Sequence, residues 1–243
     1  MDRNRISRIA HTGHPIAAPL SDQAVTDVLK QALNSTSAQA RLLDLGCGGG
    51  EWLLRALEQH PGAAGVGVDV SEPAVAHARA EADRRGLAQR LRIEQEDAAS
   101  FRSEGEFDVV FAVGVSHVFG GLLPTLTAAR KHLAAGGRVV LGDGFWESPP
   151  SAEGLEILGT MDDLTGLVGS VTEAGWTPVY GHVSSRTELD AYEWAWTGAL
   201  AAWGLQRRGT PEGQEALAVS AEHRQGWLAG YRSSFGFVTL VVC

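Results

Sequence analysis

The sequence predicts an α/β fold: a seven-stranded, mostly parallel sheet with helices on both faces. Three observations predict it. Short apolar runs of strand length alternate with longer stretches in which apolar residues recur at helical spacing. The second and third runs each close in an acid, Asp69 and Asp97. The first run, Leu42-Leu43-Asp44-Leu45, feeds directly into a glycine turn, Gly46-Cys47-Gly48-Gly49-Gly50, and a helical stretch starts at Glu51. A strand, a turn whose backbone a ligand can approach closely, and a helix N-terminus make a nucleotide-type site.

The chain from its start through Leu20 mixes Arg, His and Pro without periodicity and reads as a lid. Ser21 can then cap a cover helix whose apolar positions are Val25, Val28, Leu29 and Leu33. After the first strand and helix, Ala63 to Val70 reads as a second buried strand. Its acid, Asp69, lies about 20 residues past the glycines, where a ribose diol is bound in βαβ nucleotide sites. Ser71 can cap the next helix, Pro73 to Arg85, which leaves Asp69 for a ligand. Leu91 to Asp97 alternates like a third strand, and Asp97 with Ala98 can read an adenine edge, carboxylate to exocyclic amine and amide to ring nitrogen.

Phe107 to Gly114 is the fourth strand and leads into Val115-Ser116-His117. Ligands in open parallel sheets sit beyond the carboxyl ends of the strands, so this end is an expected position of chemistry. A helix over Leu122 to Leu133 stops before Gly136-Gly137, and Arg138 to Asp143 is the fifth strand, followed by a loop over residues 144–150. Met161 to Ala174 reads as a helix, Thr177 to Ser185 as the sixth strand and Phe235 to Val242 as the seventh. Between the last two strands lies a Trp-bearing insertion of two helices, 186–232, broken at Arg208-Gly209-Thr210-Pro211. The expected organisation is a single domain, 1–243, with an N-terminal lid and cover helix (1–36), a cofactor-binding core (37–185), a helical substrate cover (186–232) and a final strand (233–243).

Composition excludes several function classes. A formal net charge of −9 argues against a surface built to neutralise phosphates, so no nucleic-acid partner is expected. No apolar run approaches the roughly 18 residues of a membrane span, and Met1 to Arg5 is followed by polar residues instead of a signal core, so a soluble, cytoplasmic protein is expected, monomer or homodimer. Two cysteines, Cys47 and Cys243, are too few for a disulfide framework or a zinc site.

Taken together, residues 41–143 resemble the class I S-adenosylmethionine-dependent methyltransferases. The family's first motif, an acid followed by Gly-x-Gly-x-Gly, stands here as Asp44-Leu45-Gly46-Cys47-Gly48-Gly49-Gly50. The resemblance implies a Rossmann-like sheet whose last strand is antiparallel and inserted beside the fifth, with S-adenosylmethionine as cofactor. It implies Asp44, Gly46, Cys47, Gly48 and Gly50 around the methionine moiety, Asp69 and Val70 at the ribose, Asp97 and Ala98 at the adenine, and Val113 and Gly114 near the sulfonium. No Asn-Pro-Pro-Tyr or Asp-Pro-Pro-Tyr run follows the fourth strand and no magnesium-type acid ends it, so a metal-independent enzyme acting on oxygen or nitrogen of a small molecule is expected.

Transfer of a methyl group to a hydroxyl or a protonated nitrogen calls for a base. His117, beyond the fourth strand, is the first candidate, and Glu147, beside Phe145 and Trp146, is the second. Tyr192, Glu193 and Trp196 in the insertion, and Arg232 at its end, are candidates for substrate contact together with Phe145 and Trp146. Two other readings stay open. A nicotinamide-dependent oxidoreductase would also use an acid after the second strand, but its Gly-x-Gly-x-x-Gly has no leading acid. A non-catalytic S-adenosylmethionine-binding module would carry the same motif residues.

Overall fold

The structure is a computed structural model that describes residues 1–34 and 36–243; residue 35, within the expected N-terminal segment 1–36, lies outside the described residues. The elements run in order as α1 (Arg3–Ala10), a 3₁₀ turn (His11–Gly13), α2 (Asp22–Leu33), β1 (Arg41–Leu45), α3 (Glu51–Gln59) and β2 (Ala64–Asp69). They continue with α4 (Glu72–Arg84), β3 (Leu91–Gln95), β4 (Phe107–Val113), α5 (Ser116–Phe119), α6 (Leu122–Arg130) and β5 (Leu133–Trp146). The chain ends with α7 (Ala152–Leu158), α8 (Leu164–Glu173), β6 (Pro178–Val183), α9 (Arg186–Gln206), α10 (Pro211–Gly226), a π-helical turn (Trp227–Tyr231) and β7 (Phe235–Val242). No helix of the described residues is long and apolar enough to cross a membrane.

Among the described residues the strands form one seven-stranded sheet in the order β3-β2-β1-β4-β5-β7-β6. The first five in that row are parallel, with Asp44 opposite Gly67 on one side and Phe111 on the other. β7 runs antiparallel to its neighbours β5 and β6; beside β6 the reciprocal bonds between Thr177 and Cys243, each backbone N–H donating to the other's carbonyl at 2.8 and 3.1 Å, display it. Strands buried on both faces read as continuous apolar runs, and Leu42, Leu43, Val109, Val110, Val139 and Val140 are all fully buried. The row reverses between β1 and β4, the switch point at which open α/β sheets bind ligands.

The chain divides into two compact units. One comprises Asp22–Asp143, Val168–His182 and Val238–Cys243; the other comprises Met1–Ser21, Gly144–Leu167 and Val183–Phe237. The first unit holds α2, whose expected apolar positions Val25, Val28, Leu29 and Leu33 are all buried, and the sheet core with Trp52 tilted against Phe111 at 5.8 Å. In the second, Ile9 packs with Leu200 and Ala216, flanked by Ile6, Trp196 and Trp203. Trp146, Trp227 and Tyr231 form another cluster with Met161 and Phe235.

Several boundaries differ from the sequence expectation, each for a local reason. The N-terminus is not irregular: Asp2 accepts a bond from the Arg5 N–H at 2.8 Å and caps α1, whose helical stripe is short and mixed with arginines. β5 begins at Leu133 and not at Arg138, because Leu133 already pairs with Phe107; the register then shifts before the Val109–Arg138 pair, and Gly136 takes a positive φ of 77° within that irregular stretch. The helix expected over 161–174 starts only at Leu164, and the additional α7 is capped by Ser151, whose hydroxyl accepts from the Gly154 N–H.

The start of α9 carries a capping box. Ser185 Oγ accepts from the Glu188 N–H at 3.2 Å, and Glu188 Oε2 accepts from the Ser185 N–H at 2.8 Å and its hydroxyl at 3.0 Å. Glu188 Oε1 accepts in turn from the Ser21 N–H and hydroxyl at 2.9 and 2.7 Å. Burial pushes this carboxyl up, but the bonds from Ser21 and Ser185 outweigh it and hold it at about 2. A lowered folded-state value means that this group's stabilisation is present above pH 4.5 and is lost as the pH falls towards 2. Glu188→Ala is expected to cost about 1–2 kcal/mol at pH 7 and to flatten the acid limb of stability, measured by urea unfolding from pH 7 down to pH 3.

Candidate active site

At the carboxyl end of the parallel strands the residues expected from the sequence assemble in strand order. Asp97 and Ala98 follow β3, Asp69 and Val70 end β2, the glycine turn follows β1, and Val113 and Gly114 end β4. The turn is built by its own backbone. Gly46 at φ 84°, Gly48 at 51° and Gly50 at 78° hold left-handed conformations, and the N–H groups of Gly46 and Cys47 both donate to the Val68 carbonyl, at 2.8 and 2.9 Å. A Cβ on Gly46 would stand 2.6 Å from Val115 Cγ1, so the loop after β4 fits only against a glycine. A Cβ on Gly48 or Gly114 would meet nothing within 4 Å: there the backbone faces open space.

Asp69 is partly engaged with its own protein. Its Oδ2 accepts from the Gly48 N–H at 2.9 Å and its Oδ1 from the Ser71 N–H at 2.8 Å. Ser71 is the N-cap residue of α4, yet its side chain makes no capping bond, and its own N–H is held by Asp69. A carboxylate offers about four lone-pair positions, so two remain for a diol. Val70 beside it is exposed. Asp97 is exposed, its Oδ1 accepting from the Ala99 N–H at 3.0 Å, while Ala98 is buried.

Asp44 is the electrostatic centre. It is 2 % exposed, its Oδ2 has no hydrogen-bond partner, and burial followed by the charge of Asp69 pushes its carboxyl up to about 8. Burial also raises the neighbouring Cys47 thiol well above its ordinary value, so this sulfur packs as a neutral group and is no ready nucleophile. An orphaned buried acceptor beside an open glycine cradle fits a ligand that brings its own donors or positive charge.

His117 lies in α5, exposed and without a hydrogen-bond partner among the described residues. Its neighbour was missed by sequence reading: the Ser116 hydroxyl at the start of α5 donates to Asp143 Oδ1 within β5, at 3.0 Å. The signal was present, since Asp143 closes the expected strand run 138–143 as Asp69 and Asp97 close theirs.

The remaining candidates belong to the other unit. Phe145 is buried, and a Cβ on Gly236 would overlap its ring; Trp146 is a core residue of the aromatic cluster. Glu147 is exposed and paired with Arg186 at 2.8 Å, and Arg232 is paired with Asp190 at 2.6 Å. The Tyr192 hydroxyl lies 3.0 Å from His11 Nε2. Glu193 is buried, accepting from the Tyr231 hydroxyl at 2.8 Å and lying 2.8 Å from His223 Nε2, while the His223 ring stacks on Trp196 at 4.0 Å.

This geometry defines a class of protein: a Rossmann-like α/β protein whose glycine turn and strand-end acids suit an adenosyl cofactor. The comparisons narrow it. A family model described as a methyltransferase domain matches residues 43–139. The chain is 29% identical over 231 residues to an uncharacterized protein of Escherichia coli (strain K12), YjhP, covering 91% of this chain and 90% of that one. Its fold is similar to that of a SAM-dependent methyltransferase from Thiobacillus denitrificans in complex with S-adenosyl-L-homocysteine, at TM-score 0.89 and 26% identity over 100% of this chain and 99% of that one. A SAM-dependent methyltransferase from Geobacter sulfurreducens, in complex with the same ligand, has TM-score 0.89 at 24% identity, covering 98% and 97%. The matched methyltransferase domain and these similar structures support a class I S-adenosylmethionine-dependent methyltransferase.

Proposed function

We propose that the protein transfers the methyl group of S-adenosylmethionine to oxygen or nitrogen of a small organic acceptor without a metal ion, acting as a monomer or homodimer in a reducing, cytoplasmic compartment that suits its two unpaired cysteines. The observation that carries this reading is Asp44: a buried, unpartnered carboxylate oxygen beside glycine backbone that faces open space. The cofactor supplies an activated methyl on a sulfonium, and the protein has only to align it with the acceptor and exclude water.

In this reading Asp44 offers its vacant oxygen to the cationic methionine end, with Gly46, Cys47, Gly48 and Gly50 shaping the backbone around it. Asp69 and Val70 hold the ribose, Asp97 and Ala98 read the adenine, and Val113 and Gly114 border the sulfonium. His117 takes the acceptor's proton; its ring is exposed and committed to no other bond. Glu147 is the second candidate base, although Arg186 holds its carboxylate. Tyr192, Trp196 and Arg232 are assigned to the acceptor side; Phe145, Trp146 and Glu193, candidates there from the sequence, are buried within their own unit.

Incubation with methyl-labelled cofactor and a fractionated metabolite extract tests the reading. Label is expected in a small molecule, unaffected by chelator. His117→Ala is expected to lower kcat about 10²-fold or more, with S-adenosylhomocysteine affinity unchanged. Tight binding of S-adenosylhomocysteine with no transfer to any fraction supports the non-catalytic module instead, and tighter binding of NADH supports the oxidoreductase.

A further inference from the structure

Within one unit, α1 and the 3₁₀ turn that follows it meet α9, and this contact fixes the hydrogen-bonding sense of Tyr192. We propose that His11 is a positioning residue of the acceptor site: it holds the Tyr192 hydroxyl as a donor to its own Nε2, so that Tyr192 meets the acceptor only with its oxygen lone pairs. The acceptor class is then one that brings an O–H or N–H group to this contact. The proposal rests on the methyl-transfer reading and on the place of Tyr192 in it.

The direction of the bond follows from the other side of the imidazole ring. His11 Nδ1 lies 2.8 Å from the Ser7 carbonyl oxygen, which can only accept, so Nδ1 carries a proton. The Ser7 hydroxyl stands 3.3 Å from the same nitrogen, and its oxygen can accept from the same proton. Burial, helped by the charge of His14, lowers the His11 pKa against the opposing bond to Ser7, and the ring is neutral at neutral pH. A neutral imidazole has one N–H, so Nε2 is left as an acceptor. The Tyr192 hydroxyl, 3.0 Å away, is therefore the donor.

Tyr192 is fixed in this arrangement. Burial, then the charge of Glu193, raises its phenol pKa, so the hydroxyl keeps its proton at neutral pH. No other described residue hydrogen-bonds to that hydroxyl. Its ring is held from two sides: the His11 ring lies tilted at 6.0 Å and the His14 ring meets it edge-on at 5.4 Å. His14 is itself tied down, with Nε2 2.8 Å from the Ala18 carbonyl oxygen. A buried oxygen whose one hydrogen is spent on His11, and which accepts from nothing in the protein, suits a ligand that brings a donor. A carboxylate or an ether would meet it lone pair to lone pair, and that contact repels.

Two measurements test this. Nitrogen NMR of the isotope-labelled full chain, with the His11 signals assigned by their loss in His11→Gln, is expected to show the Nδ1–H form at pH 7.5. An Nε2–H ring or a doubly protonated one overturns the proposal. The second measurement uses the acceptor purified from the active fraction of the labelled-cofactor assay. His11→Ala is expected to raise its KM about ten-fold or more, with S-adenosylhomocysteine affinity unchanged. His11→Gln is expected to stay within about three-fold of wild type, because its amide oxygen can still accept from Tyr192. Tyr192→Phe is expected to raise KM as His11→Ala does, and adding His11→Ala to it to change KM by less than about two-fold, a coupling that packing alone does not produce. Equal loss in His11→Gln and His11→Ala, independent effects in the double variant, or an acceptor with no O–H or N–H group overturns the proposal and leaves methyl transfer standing. Absence of labelled product from every fraction overturns the methyl-transfer reading and this proposal with it.

Discussion

Replacing Gly46 by alanine is expected to weaken S-adenosylhomocysteine binding about 100-fold or more and to lower stability by about 2 kcal/mol. Two costs add. A φ of 84° is a left-handed conformation that costs an L side chain roughly 1–2 kcal/mol. The new Cβ also lands 2.6 Å from Val115 Cγ1, so either the turn or the loop after β4 must shift. Displacing a site by about 1 Å is enough for a loss of that size in a positioned reaction. The double variant Gly46→Ala/Val115→Ala removes the overlap and leaves the φ strain, so it is expected to recover part of both losses. Calorimetry with S-adenosylhomocysteine and urea unfolding check both numbers. Wild-type affinity in Gly46→Ala would mean that the turn does not cradle the cofactor.

Asp44→Asn is expected to change the pH dependence of the cofactor-free protein more than any other single substitution. The folded carboxyl is raised to about 8 from an ordinary 3.8, so between those values the native state holds a proton that the unfolded chain has released. Stability therefore falls as the pH rises through this window, by on the order of 5 kcal/mol in total. Asparagine is neutral at every pH and removes that slope, leaving the variant more stable than wild type at pH 8. The same change deletes the anion proposed to meet the cofactor's positive end, so S-adenosylmethionine affinity is expected to fall about ten-fold or more at pH 8, against a smaller change at pH 6 where Asp44 is already protonated. Urea unfolding at pH 5, 6, 7 and 8 in both proteins decides this, and parallel slopes for the two would remove Asp44 as the titrating group.

Elements whose pattern is local were legible. Gly46, Gly48 and Gly50 stand where positive φ is required, and the runs that become β1 and β4 are apolar because both faces of those strands are buried, whereas β3, at the sheet edge, alternates. Boundaries set by geometry beyond the local chain were less so. α1 carries only a short apolar stripe, Ile6, Ile9 and Ala10, among arginines, and it is held by the Asp2 cap and by packing of Ile6 and Ile9 with residues some 190 positions away. Ser116 and Asp143 are 27 residues apart, and only the adjacency of β4 and β5 makes them a hydrogen-bonded pair.

Charged side chains show the same division. Glu193 reads in sequence as a candidate substrate contact, but in the fold it is buried and bound by Tyr231 and His223. Trp146 and Phe145 read as candidate substrate contacts and are core residues, since β5 continues past Asp143 and carries them inward. Arg232 and Glu147, both open candidates in sequence, each meet an opposite charge that lies about 40 residues distant, Asp190 and Arg186.

The sequence by itself determined the glycine turn after β1, the acids Asp44, Asp69 and Asp97 and the resemblance to the methyltransferases, because a glycine turn and acids at or near strand ends are specified by backbone conformation and strand length, which neighbouring residues set. The tertiary structure alone decided the state of those acids. Asp44 became an uncharged buried group and Asp69 a hydrogen-bonded one through desolvation and through the amides of Gly48 and Ser71. Burial and charge pairing depend on what chain-distant elements bring together, and no local pattern records them.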